Sequence, residues 1–471
     1  MRARKQALDA DVVVVNHHLF FADVALRDEG VSELLPACNT VIFDEAHQLP
    51  AVASLFFGQT LSSTQLLELA RDARTEQVTS AKEVTTLADA CDALERAARK
   101  LRLAAGEERD GGAGRNNVRR WQENDALAGE LEAVEQQVHA LEAQLAALAE
   151  RSEGLQHCQR RAAEVIERLQ AWRELPTQEH VRWVATFSQS VQLNTTPLSV
   201  AEPFRAQLTS YPRAWIFTSA TLSMGGDFSH YQAQLGLESA DTAAWESPFD
   251  YPNQAIVYLP KEMVEPNSRE HTEAVVQAAL PVIRAAGGRT FLLFTTLRAM
   301  RDAHEMLAAA FEREGLSYPL LVQGAGTRSE LLERFRALGN AVLIGSHSFW
   351  EGVDVRGEAL SVVVIDKLPF APPDDPVVAA RLEALRARGG NPFMEYQLPE
   401  AVITLKQGAG RLIRDETDRG VLMICDVRLV QKGYGRSIMR ALPPMRATRR
   451  LQTVLDFFTQ KGEAPLTLAA S

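Results

Sequence analysis

Val41-Ile42-Phe43-Asp44-Glu45-Ala46-His47 is the stretch whose reading decides the fold. An apolar run that ends in Asp-Glu reads as a buried parallel strand. Its C-terminal tip delivers two carboxylates to the crevice where open α/β sheets bind ligands. One carboxylate can hold a metal while the other acts on water, the division of labour that nucleoside triphosphate hydrolysis requires. Asp44 is therefore the candidate for magnesium held with the nucleotide, and Glu45 for the water. An isolated Asp-Glu pair equally suits the acidic first turn of a helix. The apolar residues before it, Ala46-His47 after it and three later motifs in fixed order favour the strand tip.

The chain has 471 residues, enough for two or three domains with ample cores. Hydrophobic residues make up 46% and charged residues 24%, and no apolar stretch approaches the length of a membrane span, so a globular, non-membrane protein is expected. Met1-Arg2-Ala3-Arg4-Lys5 is basic, but the apolar run after it is short and lacks a small-residue cleavage site. The expected location is the cytoplasm. Cys38, Cys91, Cys158 and Cys425 are widely spaced and form no Cys-x-x-Cys pair, which points to free thiols rather than a zinc site or disulfides. A net charge of −11 excludes a uniformly basic surface. It leaves room for a local basic channel along a nucleic-acid backbone.

Upstream, Asp11-Val12-Val13-Val14-Val15 reads as a fully buried β-branched strand. At its tip, Asn16 and His17 either face a nucleic-acid ligand or satisfy loop backbone groups. From about Leu61 to Leu175 the composition turns to Ala, Leu, Glu, Gln and Arg, the mark of a helical insertion. Leu127, Leu131, Val134, Val138, Leu141, Leu145 and Leu148 alternate spacings of four and three. That seam suits packing inside the insertion better than a dimer contact, and a monomer is expected. Gly106 to Arg115 reads as a loop between two helices. Arg119, Arg120 and Trp121 read as solvated helix surface, with nucleic-acid contact as the alternative. The alternation of Val181, Trp183, Ala185 and Phe187 predicts that the sheet resumes there. Trp215-Ile216-Phe217 predicts another buried strand, leading into Thr218-Ser219-Ala220-Thr221-Leu222. Hydroxyls at such a turn can relay hydrogen bonds from the carboxylates to a neighbouring domain.

Beyond about Ser247, strand and helix alternate regularly, as in a second doubly wound domain. Strands are predicted at 289–296, 320–323, 341–346, 360–366 and 421–425, and helices at 297–314, 328–338, 376–388 and 399–414. Two segments here carry chemistry. Gly345-Ser346-His347-Ser348-Phe349-Trp350-Glu351-Gly352-Val353-Asp354 joins glycine flexibility to two carboxylates and two aromatics, as a loop touching both nucleotide and nucleic-acid strand would need. Glu351, Gly352 and Asp354 are candidates for the nucleotide, and Ser346, His347, Phe349 and Trp350 for DNA, although the aromatics suit packing as well. The second segment is Gln407-Gly408-Ala409-Gly410-Arg411-Leu412-Ile413-Arg414. On a helix, Gln407, Arg411 and Arg414 would reach from one face. The two guanidinium groups could then clamp a transferring phosphoryl group.

Asp-Glu-Ala-His, Ser-Ala-Thr, Glu-Gly-Val-Asp and Gln-Gly-x-Gly-Arg-x-x-Arg, in that order, resemble motifs II, III, V and VI of superfamily-two helicases. The insertion between motifs II and III, Asn16-His17-His18, Ser247-Pro248-Phe249 and Phe349 to Asp354 narrow the resemblance to the XPD- and DinG-like branch, nearest its bacterial YoaA-type members. The likeness covers essentially the whole chain. It implies an α/β fold of two RecA-like doubly wound parallel-sheet domains, the first incomplete, with an all-helical arch-like insertion. On that basis residues 1–60 and 176–246 form the first RecA-like domain, 61–175 the arch-like insertion and 247–471 the second. It further implies ATP and Mg²⁺ as cofactors, 5′ to 3′ translocation on single-stranded or forked DNA, duplex unwinding in DNA repair, and a bacterial cytosol or nucleoid setting with replication or repair proteins as partners. Glu45, Arg411 and Arg414 become the catalytic set. Asp44, His47, Glu351, Gly352, Asp354, Gln407, Arg411 and Arg414 become the nucleotide set.

Two departures stand out. The family's Gly-x-x-x-x-Gly-Lys-[Ser/Thr] phosphate loop has no counterpart, since no Gly-Lys dipeptide occurs in the chain. The family's 4Fe-4S cluster takes four cysteines ahead of the strand represented by Val12 to Val15, and none stands there. The expectation is an N-terminally shortened helicase that does not turn over ATP alone. A non-catalytic DNA-binding or regulatory remnant, or an RNA-directed motor, are the alternatives.

Overall fold

The computed structural model describes residues 2–28, 34–106, 118–120, 125–176, 178–210, 213–346, 349–350 and 359–459. The chain forms two compact units. The first comprises Met1–Ala220, Ser229–Ala240 and Ala371–Pro392; the second comprises Thr221–Phe228, Asp241–Phe370 and Phe393–Ser471.

In the first unit, β1 (Thr40–Phe43) pairs in parallel with β6 (Ala214–Phe217), Phe43 opposite Phe217. An aromatic cluster fastens this pair. The Phe43 ring stacks on Phe217 at 5.4 Å and on Trp215 at 6.2 Å, and Phe20, from the helix His17–Asp28, meets Phe43 edge-on at 5.0 Å. The two strands are less buried than their apolar sequences predict. Phe43 is buried, but its neighbour Ile42 is 63% exposed and Ile42's register partner Ile216 is 42% exposed. The strand expected at Val12 to Val15 does not form, and Val12 and Val14 are exposed. Among the described residues, the parallel sheet of this unit consists of β1 and β6 alone. With no ladder to join, the valine run has nothing to satisfy its backbone as a strand.

The insertion is mainly helical, but not wholly: Arg119 and Arg120, expected on helix surface, lie on a strand, Val118–Arg120. Ser63–Ser80, Thr85–Ala104, Asp125–Ala146 and Glu153–Glu174 pack around one core, and every residue of the predicted heptad seam is buried in it. Ser62 opens the first helix with a reciprocal cap to Gln65. Strands also belong to this region. β2 (Gln59–Ser62), β3 (Val118–Arg120), β4 (His180–Thr186) and β5 (Val191–Pro197) form an antiparallel sheet in the order β2-β5-β4-β3. Val181 and Ala185 therefore lie in a separate antiparallel sheet, which corrects the expectation that the parallel sheet resumes there. Val184, on the opposite side of β4, joins the helical core, and Phe187 falls beyond the strand and is exposed. With both faces contributing buried residues, a simple period of two fails.

The helix expected at 376–388 forms at Pro376–Ala387, with Asp375 capping the amides of Val377 and Val378 at 3.0 Å. It packs on β4 and β3, so residues 371–392 belong to the first unit although the flanking chain belongs to the second. Arg381 fastens it, donating to the Leu198 carbonyl at 3.2 Å and the Ser54 hydroxyl at 2.8 Å.

The second unit is a doubly wound sheet. β7 (Ala255–Tyr258), β8 (Thr290–Leu293), β9 (Leu320–Val322), β10 (Val342–Gly345), β11 (Val362–Ile365), β12 (Gly420–Ile424) and β13 (Arg446–Thr448) run in the order β13-β7-β12-β11-β8-β10-β9, every pair parallel. Alternate residues enter different cores. Phe291, Leu293, Val363 and Ile365 join one, while Leu292, Phe294, Val362 and Val364 join the other. Burial on both faces is why these strands read as unbroken aliphatic runs. Among the described residues, no helix is long and apolar enough to cross a membrane.

Candidate functional site

The acidic pair leaves the tip of β1 on a turn held by hydrogen bonds. Glu45 adopts φ 50° and ψ 42°, the left-handed region that non-glycine residues rarely enter. The turn is clamped to the end of β6: the Thr218 amide donates to the Phe43 carbonyl at 2.8 Å, and the Ala46 amide to the Thr218 carbonyl at 2.9 Å. Tyr231 adds a third clamp, its hydroxyl donating to the Ala46 carbonyl at 2.8 Å, and burial pushes that phenol well above its ordinary pKa. Strain held by surrounding bonds is characteristic of functional turns.

The side chains fall into a hydroxyl-carboxylate set. Thr218 donates to Asp44 Oδ1 at 3.1 Å, and Ser219 to Glu45 Oε2 at 3.4 Å. His47 Nδ1 lies 3.0 Å from Ser219 Oγ and 3.4 Å from Glu45 Oε2, with only 5% of its side chain exposed against 54% for Glu45. Asp44, Glu45 and His47 are thus brought together with Thr218 and Ser219. Asp44, exposed and with one oxygen steadied by a hydroxyl, presents the hard oxygen ligand that magnesium takes alongside phosphate oxygens.

Upstream, Asn16 serves the backbone. Its Oδ1 accepts the Leu19 amide at 2.7 Å and its carbonyl accepts Phe20, so it caps the helix that follows. His17 packs edge-on to Phe43 at 5.8 Å, and burial lowers its pKa against the opposing pull of Asp44. Both positions serve the local structure.

In the second unit, the helix expected at 399–414 spans Leu398–Ala409, so Arg411 and Arg414 lie past its end rather than on a shared helical face. Gln407 and Arg411 still meet, Arg411 Nη2 donating to Gln407 Oε1 at 3.3 Å while its Nε donates to the Trp350 carbonyl at 3.0 Å. Gln407 Nε2 donates to Thr221 Oγ1 at 2.6 Å. Arg414 is half-buried on a loop that Asp418 and Gln254 hold. Asp418 accepts the amides of Arg414 and Asp415, and Gln254 Nε2 donates to the carbonyls of Asp415, Glu416 and Asp418. Neither Gln254 nor Asp418 stood out in the sequence; the only signal was a buried-type amide before an apolar strand.

Phe349 and Trp350 are corrected as DNA candidates. They are 1% and 0% exposed, and a Cβ added at Gly408 would sit 3.0 Å from the Trp350 ring. A ring enclosed in the core has no face for a base to stack on. Ser346 is largely buried at the tip of β10, its amide and hydroxyl both donating to Gln323 Oε1 at 2.7 and 2.9 Å. His347, Glu351, Gly352 and Asp354 lie outside the described residues.

An iron-sulfur cluster does not fit this chain. Cys91 and Cys158 are buried in the helical insertion, Cys425 lies at the end of β12, and Cys38 is exposed beside Arg213. Among the described residues, no group of three or more His, Cys, Asp or Glu is placed to hold a metal.

A family model for a helicase C-terminal domain matches residues 279–445. The ATP-dependent DNA helicase YoaA of Escherichia coli K12 is 42% identical over 457 residues, covering 97% of this chain and 70% of that protein. The YoaA of Haemophilus influenzae is also 42% identical, covering 98% and 70%. The ATP-dependent helicase DinG of Mycobacterium tuberculosis is 42% identical over 54% of this chain and 38% of its own. The solved structure "XPD_Helicase" aligns with a TM-score of 0.57 at 15% identity, over 94% of this chain and 74% of that one, a likeness of fold. The chain therefore belongs to the YoaA and DinG family of ATP-dependent DNA helicases.

Proposed function

We propose that this chain carries the metal-binding, water-positioning and phosphate-sensing residues of a motor that translocates 5′ to 3′ on single-stranded or forked DNA. In this reading Asp44 holds Mg²⁺, which neutralises phosphate charge, and Glu45 orients the attacking water. Thr218 and Ser219 keep the two carboxylates aimed, and His47 buttresses Glu45. Arg411 and Arg414 bind the transferring phosphoryl group, with Gln407 positioning Arg411; Glu351, Gly352 and Asp354 complete the nucleotide set. Residues 1–60 and 176–246 are read as an incomplete RecA-like domain, 61–175 as the arch-like insertion, 247–471 as the second RecA-like domain, and the protein as a monomer acting in DNA repair in the bacterial cytosol or nucleoid.

The observation that carries the reading is the segment Thr218 to Thr221. Its first two hydroxyls bind the acidic pair within the first unit, and its last binds Gln407, the partner of Arg411, within the second.

The test is DNA-stimulated ATP turnover with the missing phosphate loop supplied from a relative. Arg411→Ala should lower kcat on the order of a thousandfold while leaving affinity for single-stranded DNA within a factor of about two. Equal losses in both would undo the assignment. Competition between single-stranded DNA and RNA of the same sequence tests the choice of strand.

A further inference from the structure

Gln323 follows β9 at the C-terminal edge of the second unit's sheet, the edge at which open parallel sheets bind ligands. Its backbone amide donates to the Ile344 carbonyl at 2.9 Å, which holds it against β10. Its side-chain oxygen takes two bonds from one residue, the Ser346 amide at 2.7 Å and the Ser346 hydroxyl at 2.9 Å. An amide N–H can only donate, so the orientation of the carboxamide is decided: Oε1 faces Ser346 and Nε2 faces away.

Three further facts describe where Nε2 is left. Gln323 is half-buried, and among the described residues its Nε2 has no protein acceptor. The next residue, Gly324, turns at φ +99°, and a Cβ there would meet nothing within 4 Å, so the chain just after the carboxamide is uncrowded by the described residues. Arg328 places its guanidinium 5.8 Å from the Phe349 ring, whose own amide bonds back to the Ser346 carbonyl, and so brings positive charge to the same loop pair. Ser346 spends its hydroxyl proton on Gln323 and can offer an incoming oxygen no donor of its own.

We infer that Gln323, rather than Ser346, is the hydrogen-bond donor at this edge, and that it binds a phosphodiester oxygen of single-stranded DNA, with Arg328 supplying charge. This rests on the DNA-binding reading above. A neutral carboxamide held by two bonds loses little freedom on binding, and phosphate oxygens are the groups that backbone-tracking proteins contact most.

The experiment measures affinity for fluorescently labelled oligo(dT) in wild-type, Gln323→Glu and Gln323→Met chains. A carboxylate still accepts both Ser346 bonds, so Gln323→Glu preserves the local structure and changes only the outward atom from donor to anion. Methionine keeps the shape and loses both roles. The expected result is a loss of about tenfold or more for Gln323→Glu, at least as large as for Gln323→Met, with the glutamate penalty shrinking when the DNA carries methylphosphonates. Arg328→Ala should lower the slope of log affinity against log salt by about one, which neither Gln323 substitution should do by loss of a counterion-releasing cation. Wild-type affinity in Gln323→Glu alongside a loss in Gln323→Met would show a purely structural role and overturn the inference. Weakened ATP binding with unchanged DNA binding would place the phosphate on the nucleotide and overturn it too. If the wild-type chain fails to bind oligo(dT), the DNA-binding reading itself falls.

Discussion

Gln407 donates to Thr221 across 2.6 Å, and both side chains are buried, at 7% and 3% exposure. Thr221→Val keeps the volume but leaves a buried amide donor without its acceptor. Stability should fall by about 1–3 kcal/mol. Chemical denaturation followed by circular dichroism measures this, and the double variant with Gln407→Leu should lose less than the sum of the single changes. Additive losses would mean that the bond contributes nothing.

Gly408 lies where the helix Leu398–Ala409 passes over Trp350. An alanine Cβ would stand 3.0 Å from the indole, and Trp350, fully buried, has little room to retreat. Gly408→Ala should destabilise by about 1–3 kcal/mol despite its better helix propensity. Thermal unfolding with tryptophan fluorescence reads both the loss and the altered ring environment. A more stable variant would contradict the packing described.

Asp366, at the end of β11, is buried and pushed up to about 7 by that burial, against the pull of Lys367 and of bonds from Thr295 and Lys367. The folded chain thus holds a proton that the unfolded chain releases near its ordinary value of 3.8. Its contribution to stability is complete below about pH 4 and is lost as pH rises through about 7. Asp366→Asn reproduces the protonated form, with Oδ1 accepting the amides and Nδ2 facing Thr295. Relative to wild type it should gain on the order of 2 kcal/mol between pH 5 and 8. A constant difference across that range would refute the assignment.

Thiol labelling separates the cysteines. Cys38 is exposed, whereas Cys91, Cys158 and Cys425 are buried, and burial pushes Cys91 up to about 12. One thiol should react rapidly with an aromatic disulfide reagent at pH 8 and three only on unfolding. Cys38→Ser should remove the fast phase.

The second unit was legible because its strands are buried on both faces, which leaves β-branched runs such as Val362–Ile365. Its edge strand β13 and the neighbouring β7 were not anticipated; Arg446–Thr448 has no apolar pattern to detect. In the first unit the same signal misled. Val12 to Val15 have the composition of a central strand, but strand formation depends on a neighbouring ladder, which composition does not report. Asp44, Glu45 and His47 stand together in the sequence after β1, as Thr218 and Ser219 do after β6, and the parallel pairing of the two strands brings these side chains together. Gln323 and Gln254 were not legible, since each acts on backbone or side-chain groups far along the chain, and Asp418 was not, since it holds amides three and four residues away on an irregular loop.

The chain passes from one unit to the other five times, at residues 220/221, 228/229, 240/241, 370/371 and 392/393. Neither unit is therefore a continuous length of polypeptide. A single protease cut cannot liberate either one, and expression boundaries drawn at any one of these bonds would strand pieces of both cores. Ribosomal synthesis must deliver Phe393 and its successors before the β12 position of the second sheet is filled, so late emergence of the last segment, Phe393–Ser471, governs when that unit can close.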